Sequence, residues 1–223
     1  MGVVREGLVD GVWQDLFKAA LTLIDEITKH GGVADPFFTF GGGTVLMLRY
    51  QHRFSKDIDI FVPDPQSLGY INPRLCDVAD ELCESQYVEA ANFIKLILPI
   101  GEIDFVASPN LLDADKAYED WHLFGRRVRV ETAAEIIAKK MYHRGAQATA
   151  RDLFDLAMVI EHEPAALIAA KPSMERHRAA FCANLNSASR NFQLEFESVK
   201  TITYRPTFDH ARDVALRFLA NLG

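Results

Sequence analysis

The residues FGGGT at positions 40–44, followed by DIDIF at positions 57–61, decide the fold prediction for this chain. They combine a glycine turn after an apolar strand with two acidic side chains in a second strand. Thirteen residues, 44–56, separate Gly43 from Asp57, which is room for a short helix and a return loop. The spacing therefore predicts that the turn and the two carboxylates line one pocket.

The two acidic side chains have the spacing of metal ligands. In a strand with period two, Asp57 and Asp59 point to one face while Ile58 and Ile60 point to the other. Two carboxylates on one face repel each other, and Mg²⁺ is commonly held by one or two carboxylates together with substrate phosphates. The pattern predicts Asp57 and Asp59 as ligands of Mg²⁺ or Mn²⁺.

The glycine run is suited to a phosphate group. Glycine lets a backbone approach a ligand closely, and a helix that opens at Thr44 would direct free N–H groups at an anion. A glycine triplet alone is often only a turn, and two alternating aspartates alone are often solvated, but neither alternative explains their joint spacing. The residues predicted to contact phosphate are Gly42, Gly43, Thr44 and, just upstream of the carboxylates, Arg53, Ser55 and Lys56.

A later strand repeats the acidic pattern. In residues 102–106 the alternation places Glu102 and Asp104 on one face, and Asp104 is the candidate third metal ligand. The alternative is a strand carboxylate that faces water.

The second half of the chain carries a helix pair with charged side chains. Thr132 and Glu135 have the spacing of a capping box that opens a helix to about residue 144, on which Lys140 points about 100° away from Lys139. A second helix over about 149–161 carries Asp152. The alternative to a functional role for these residues is an ion-pair network.

Composition indicates an ordinary globular protein. The chain has 223 residues, 49% of them hydrophobic and 25% charged. Its three cysteines, Cys76, Cys83 and Cys182, have no metal-ligand spacing and predict free thiols. The longest apolar runs are too short to span a bilayer, so the predicted location is the cytoplasm, without a membrane partner.

Charge is divided unevenly along the chain. The formal net charge is −7, made up of −11 over residues 1–120 and +4 over residues 121–223. Basic residues dominate the segment from Arg126 to Arg151, which predicts a local positive surface. The alternative is a solvated helix face.

The order of predicted elements indicates an α+β protein. We expect an N-terminal mixed sheet with flanking helices over residues 1–130, and a helical region over 131–223 that completes the active-site cleft. The predicted elements are helices at 13–30, 72–85, 132–144 and 149–161, strands at 37–40, 57–62, 92–98, 102–106 and 126–130, and further helix over 162–223.

The motifs together resemble a known enzyme family. Two glycines, a short helix and alternating aspartates on a strand resemble the DNA polymerase β-type nucleotidyltransferase superfamily. A closer resemblance, to the AbiEii/AbiGii toxin family, rests on GGTxLxL at 42–48, HRxSxDIDxF at 52–61, Lys140, and RDxxDL at 151–156.

The resemblance implies transfer of a nucleotide from a nucleoside triphosphate to an acceptor hydroxyl. It implies Asp57, Asp59, Lys140 and Asp152 as catalytic residues, with Lys140 on the nucleotide phosphates and Asp152 near the acceptor or holding Lys140. It also implies an RNA acceptor, plausibly a transfer RNA end, and a toxin that a separate antitoxin neutralises.

Two other functions fit the same motifs. A nucleotidyltransferase that modifies a small molecule or a protein would keep the same carboxylates without a basic surface. A nucleotide-binding module without catalysis would have no need to keep Asp57, Asp59, Lys140 and Asp152 together.

Overall fold

A computed structural model describes residues 8–222 of the chain, so the first seven residues of the predicted sheet domain and the last residue of the helical region lie outside it. The chain divides into two compact units. The first consists of Met1–Leu48, Ser55–Asn110 and Tyr118–Glu131, as far as these are described. The second consists of Arg49–Phe54, Leu111–Ala117 and Thr132–Gly223.

The first unit holds a mixed sheet. Its strands are β1 (Thr39–Gly41), β2 (Ile58–Val62), β3 (Tyr87–Ala90), β4 (Phe93–Leu98), β5 (Gly101–Ala107), β6 (Tyr118–Leu123) and β7 (Arg126–Glu131). In the described residues they form one sheet in the order β3-β4-β5-β2-β1-β7-β6. The pairs β1–β7 and β2–β5 are parallel, and the other neighbours are antiparallel. The predicted α+β class and mixed sheet are confirmed.

The described residues of the first unit also form helices. They are α1 (Trp13–Gly31), α2 (Gly42–Tyr50), whose last two residues belong to the second unit, a 3₁₀ helix (Pro65–Ile71) and α3 (Asp77–Cys83). The apolar stripe of α1 is buried, and its Phe17 ring lies 4.5 Å from the Phe40 ring of β1. Because α1 packs on β2 and β5, Ile58 and Ile60 are fully buried beneath it.

The second unit is helical. Its elements are α4 (Ala114–Ala117), α5 (Ala133–Arg144), a 3₁₀ helix (Gly145–Gln147), α6 (Ala150–His162), α7 (Pro164–Ala169), α8 (Lys171–Asn186), α9 (Arg190–Glu197) and α10 (Phe208–Asn221). Side-chain caps start two of them: Thr132 accepts from the Glu135 N–H at α5, and Thr149 accepts from the Asp152 N–H at α6. The helices predicted at 132–144, 149–161 and beyond residue 162 are confirmed.

Several predicted boundaries differ from the structure. The helix expected from residue 72 begins at Asp77, because the Asn72 side chain accepts from the Arg74 N–H and holds a turn there. Helix α2 begins at Gly42 rather than Thr44. Strands β3 and β6 were not predicted, since their residues are short, half-exposed runs with weak alternation.

Cys76, Cys83 and Cys182 are free thiols, as predicted. Among residues 8–222, no helix combines the length and the apolar character that crossing a membrane requires.

Candidate functional site

The glycine turn and the second aspartate are in direct contact. Gly41 of β1 pairs with Asp59 of β2 in antiparallel register. The next residue, Gly42, has φ +72°, and a Cβ atom built on it would lie 1.8 Å from Asp59 Oδ2. The Asp59 carboxylate therefore occupies the space that only a glycine leaves at this position.

Asp57 is fixed from two sides. Its carbonyl oxygen accepts a 2.6 Å hydrogen bond from the Thr44 hydroxyl, and its Oδ1 accepts a 3.2 Å bond from the Glu102 N–H. Asp57 and Asp59 are half-buried while Ile58 is buried, so the alternation places both carboxylates on one face. The structure brings the predicted carboxylate pair and the glycine turn together.

The predicted phosphate-binding residues of the first unit have unequal access. Thr44 is fully buried, and Ser55 Oγ lies 3.1 Å from its hydroxyl, so Thr44 supports Asp57 rather than presenting a surface to a ligand. Gly42 is also buried, and Gly43 is half-buried. Lys56 is exposed, and its ammonium donates to the Ile100 carbonyl oxygen at 2.8 Å.

Asp104 lies beside the pair with a cation of its own. It is the parallel register partner of Asp59, and Lys95 of β4 places its ammonium 3.3 Å from Asp104 Oδ2. Burial raises the pKa of Asp104, Lys95 lowers it, and the charges of Glu102 and Asp57 raise it further, with a net upward shift. The predicted third ligand is thus already paired with an ammonium group.

The donor set of Asp57 and Asp59 suits a hard divalent cation. In the part of the chain that the structure describes, no group of three or more His, Cys, Asp or Glu side chains is arranged to hold a metal ion. Two carboxylates with further oxygens from phosphates and water form the set in which Mg²⁺ is usually bound. Mg²⁺ or Mn²⁺ therefore fits Asp57 and Asp59.

Arg53 belongs to the second unit, where it contacts Asp155. Its Nε and Nη2 donate to Asp155 Oδ1 and Oδ2 at 2.6 and 2.7 Å, and the residue is buried. Backbone hydrogen bonds from Phe54 N to the Lys200 carbonyl and from Ile202 N to the His52 carbonyl hold the same segment. The Arg53 guanidinium group is thus held by Asp155, and a contact of Arg53 with a triphosphate stays a prediction.

Asp155 is the centre of a buried ion-pair cluster. Besides Arg53, it accepts from His52 Nε2 at 2.8 Å and from Lys140 Nζ at 2.6 Å. Burial alone would raise the pKa of Asp155, but Arg53 and Lys140 hold it well below its usual range. Burial lowers the pKa of His52, so its ring is neutral and donates to Asp155.

Lys140 and Asp152 contact each other within this cluster. Lys140 Nζ lies 2.9 Å from Asp152 Oδ1, and Arg144 Nη2 lies 2.7 Å from the same oxygen. Asp152 Oδ2 accepts from the N–H and the hydroxyl of Thr149, which completes a capping box. Burial opposes ionisation of Asp152, but Lys140 and Arg144 lower its pKa. These contacts match the interpretation that Asp152 holds Lys140 in place.

Carboxylates of the same unit lie beside several side chains of the predicted basic segment. Arg126 donates twice to Asp25 at 2.6 Å, Arg129 donates to Asp35 at 3.2 Å, and Arg127 lies 3.8 Å from Asp120. Lys139 is buried, with its ammonium 3.4 Å from Glu135. The charges of this segment are therefore offset within each unit.

Sequence reasoning missed Lys95 and did not assign Asp155 a role. Lys95 sits on the polar face of the predicted strand 92–98, so its alternation with Ile94 and Leu96 was the available signal. Asp155 belongs to the RDxxDL motif, but its partners Arg53 and His52 lie 102 and 103 residues away in sequence.

Residues 31–217 match the protein family described as nucleotidyl transferase AbiEii toxin, type IV TA system. The chain belongs to this family. The resemblance found in the sequence is confirmed, and the protein is a nucleotidyltransferase of the AbiEii toxin family. Membership in a toxin–antitoxin family implies a nucleoside triphosphate substrate and an antitoxin partner.

Solved structures align with this chain at low sequence identity. A candidate nucleotidyltransferase from Helicobacter pylori aligns over 96% of each chain with 12% identity and a TM-score of 0.52. JHP933 from Helicobacter pylori aligns over 96% of this chain and 93% of its own, with 13% identity and a TM-score of 0.52. MenT4, a nucleotidyltransferase toxin from Mycobacterium tuberculosis, has 17% identity, a TM-score of 0.48, and coverage of 92% and 83%. No curated protein matches the sequence.

Proposed function

We propose that this AbiEii-family enzyme transfers a nucleotide from a nucleoside triphosphate to a hydroxyl group of RNA, with Mg²⁺ or Mn²⁺ held at Asp57 and Asp59. In this reaction the acceptor oxygen bonds to the α-phosphorus, the bond from that phosphorus to the β-phosphate oxygen breaks, and pyrophosphate leaves. The proton of the acceptor hydroxyl is released to solvent.

The contact between Gly42 and Asp59 carries this proposal. It puts a carboxylate against the first turn of α2, where the N–H groups of a helix start favour a phosphate. A carboxylate beside a phosphate site is repulsive unless a cation lies between the two groups. The geometry therefore supports binding of a metal–triphosphate complex rather than a phosphate alone.

The predicted site residues of the first unit have separate roles in this proposal. Asp57 and Asp59 orient the cation, and Thr44 fixes the Asp57 backbone through its 2.6 Å hydrogen bond. Gly43 offers backbone N–H to the phosphates, with Ser55 and Lys56 as further contacts. When bound, the cation supplies charge neutralisation at the reacting phosphate.

The second unit is proposed to contribute Lys140 and Asp152. Lys140 is assigned to the nucleotide phosphates, and Asp152 to the position of Lys140, in agreement with their 2.9 Å contact. The buried partner Asp155 holds the same ammonium group at 2.6 Å. If Lys140 contacts the phosphates, its loss should lower activity more than it would if the residue only held the ion-pair network together.

The RNA acceptor rests on the family and not on a basic surface, because the arginines of β7 are paired with carboxylates. The test incubates the protein with Mg²⁺, total RNA and each of four labelled nucleoside triphosphates, and follows label into RNA, protein and small molecules. We expect label in RNA. Label only in protein or small molecules would contradict the RNA assignment.

A further inference from the structure

A lysine lies in the same row as the carboxylates of the site. Lys95 on β4 pairs in register with Asp104 on β5, and Asp104 pairs in register with Asp59 on β2. The row continues to Gly41 on β1. Register partners on neighbouring strands share a face and lie about 5 Å apart, so Lys95 stands two strands from Asp59 on the carboxylate face.

The ammonium of Lys95 is directed at this face. It contacts the Glu102 carboxylate and lies 3.3 Å from Asp104 Oδ2. The Lys95 side chain is 30% exposed and the Asp104 side chain 20% exposed, so the pair is shielded but reachable. Glu102 in turn donates its backbone N–H to Asp57, which links the ammonium to the metal-binding pair.

The balance of charge on this face explains the need for an internal cation. Asp57, Asp59, Glu102 and Asp104 are acidic, and the register places the cationic side chain of Lys95 in the row of Asp59 and Asp104. One divalent ion and one ammonium together compensate most of four carboxylates. A second divalent ion at Asp104 would have to displace the ammonium group that lies 3.3 Å from its Oδ2.

We propose that Lys95 is a built-in cation that takes the place of a second metal ion, so that Asp104 is the partner of Lys95 and the site binds one divalent ion at Asp57 and Asp59. This inference rests on the proposed function, since it needs the metal at that pair. It revises the role of Asp104 from metal ligand to anchor of an ammonium group.

The experiment counts Mn²⁺ bound per chain by electron paramagnetic resonance, on the full chain, with the α,β-methylene analogue of the nucleotide that the parent transfers. We expect one Mn²⁺ per chain in the parent and in Lys95→Arg. We expect two in Lys95→Met, because the uncovered carboxylates of Asp104 and Glu102 then bind a second ion. The double variant Lys95→Met/Asp104→Asn should return to one.

Lys18 is an exposed lysine of α1, and Lys18→Met is the matched control, which should keep one ion. Two ions in the parent, or one ion in Lys95→Met, would overturn the role of Lys95. Asp57→Asn separates this failure from failure of the proposed function. No Mn²⁺ in the parent, or parent binding that Asp57→Asn leaves unchanged, would overturn the metal at Asp57 and Asp59 and the inference with it.

Discussion

Gly42→Ala should inactivate the enzyme through a displacement that the structure defines. The new Cβ would lie 1.8 Å from Asp59 Oδ2, whereas ordinary contact begins at 3.4 Å, so the carboxylate must move by about 1.5 Å. Misplacement of a reacting group by about 1 Å costs roughly 100-fold in rate. We therefore expect a loss of at least about 100-fold in initial rate of nucleotide transfer.

The same substitution should also lower stability. A non-glycine residue at φ +72° costs about 1–2 kcal/mol, and overpacking adds about 1–3 kcal/mol, so urea unfolding should show a loss of about 2–5 kcal/mol. Gly32→Ala is the matched control: Gly32 has φ +69°, and a Cβ there meets nothing within 4 Å.

The control isolates backbone strain from the contact with Asp59. Gly32→Ala should lose about 1–2 kcal/mol of stability and keep full transfer activity. The reasoning would be refuted if Gly42→Ala kept the parental rate, or if both variants lost the same activity and the same stability.

Three further predictions concern the buried cluster of the second unit. Arg53→Met should lower the free energy of unfolding in urea by about 3–5 kcal/mol, because Asp155 stays buried with one positive charge fewer beside it. Arg144→Met removes a half-exposed arginine and should cost less than about 1 kcal/mol. Equal losses would show that burial is not the cause. The pKa of Asp155 is lowered in the folded state, so the carboxylate stabilises the fold above its unfolded pKa of about 4, and this contribution is lost as the pH falls below that value. The free energy of unfolding should therefore fall less between pH 6 and pH 3 in Asp155→Asn than in the parent. An unchanged slope would contradict the assignment. Lys140→Ala should reduce the initial rate of transfer far more than Lys139→Ala. The Lys139 variant should mainly lose stability, because Lys139 is buried against Glu135. A larger loss of initial rate in Lys139→Ala would identify Lys139 as the functional lysine.

Elements with a strong periodic signal were predictable from the sequence. The apolar stripe of α1 and the strand pair β4–β5, with its turn at Pro99 and Gly101, follow from spacing and turn chemistry alone. The edge strands β3 and β6 were missed because each is paired on one side only and its side chains are half-exposed. Their formation depends on neighbours that a local pattern does not contain.

The candidate site was predictable where the motif is local. The alternation around Asp57 and Asp59 and the glycine turn are recognisable within twenty residues of sequence, and the structure joins them. Arg53 also lies in this stretch, but its partner Asp155 is 102 residues away, so its burial in the second unit was out of reach. Lys95 was missed for a similar reason, since its position beside Asp104 follows from strand register.

The most direct test of the central claim is the initial rate of nucleotide transfer with Asp57→Asn and Asp59→Asn. Asp120→Asn is the matched control, because it removes a carboxylate from the edge strand β6, which lies three strands from β2 in the same sheet. The account predicts no measurable transfer and weakened Mn²⁺–nucleotide binding in the two site variants, with parental unfolding free energy, and parental transfer in Asp120→Asn. Full turnover by either Asp57→Asn or Asp59→Asn would contradict it.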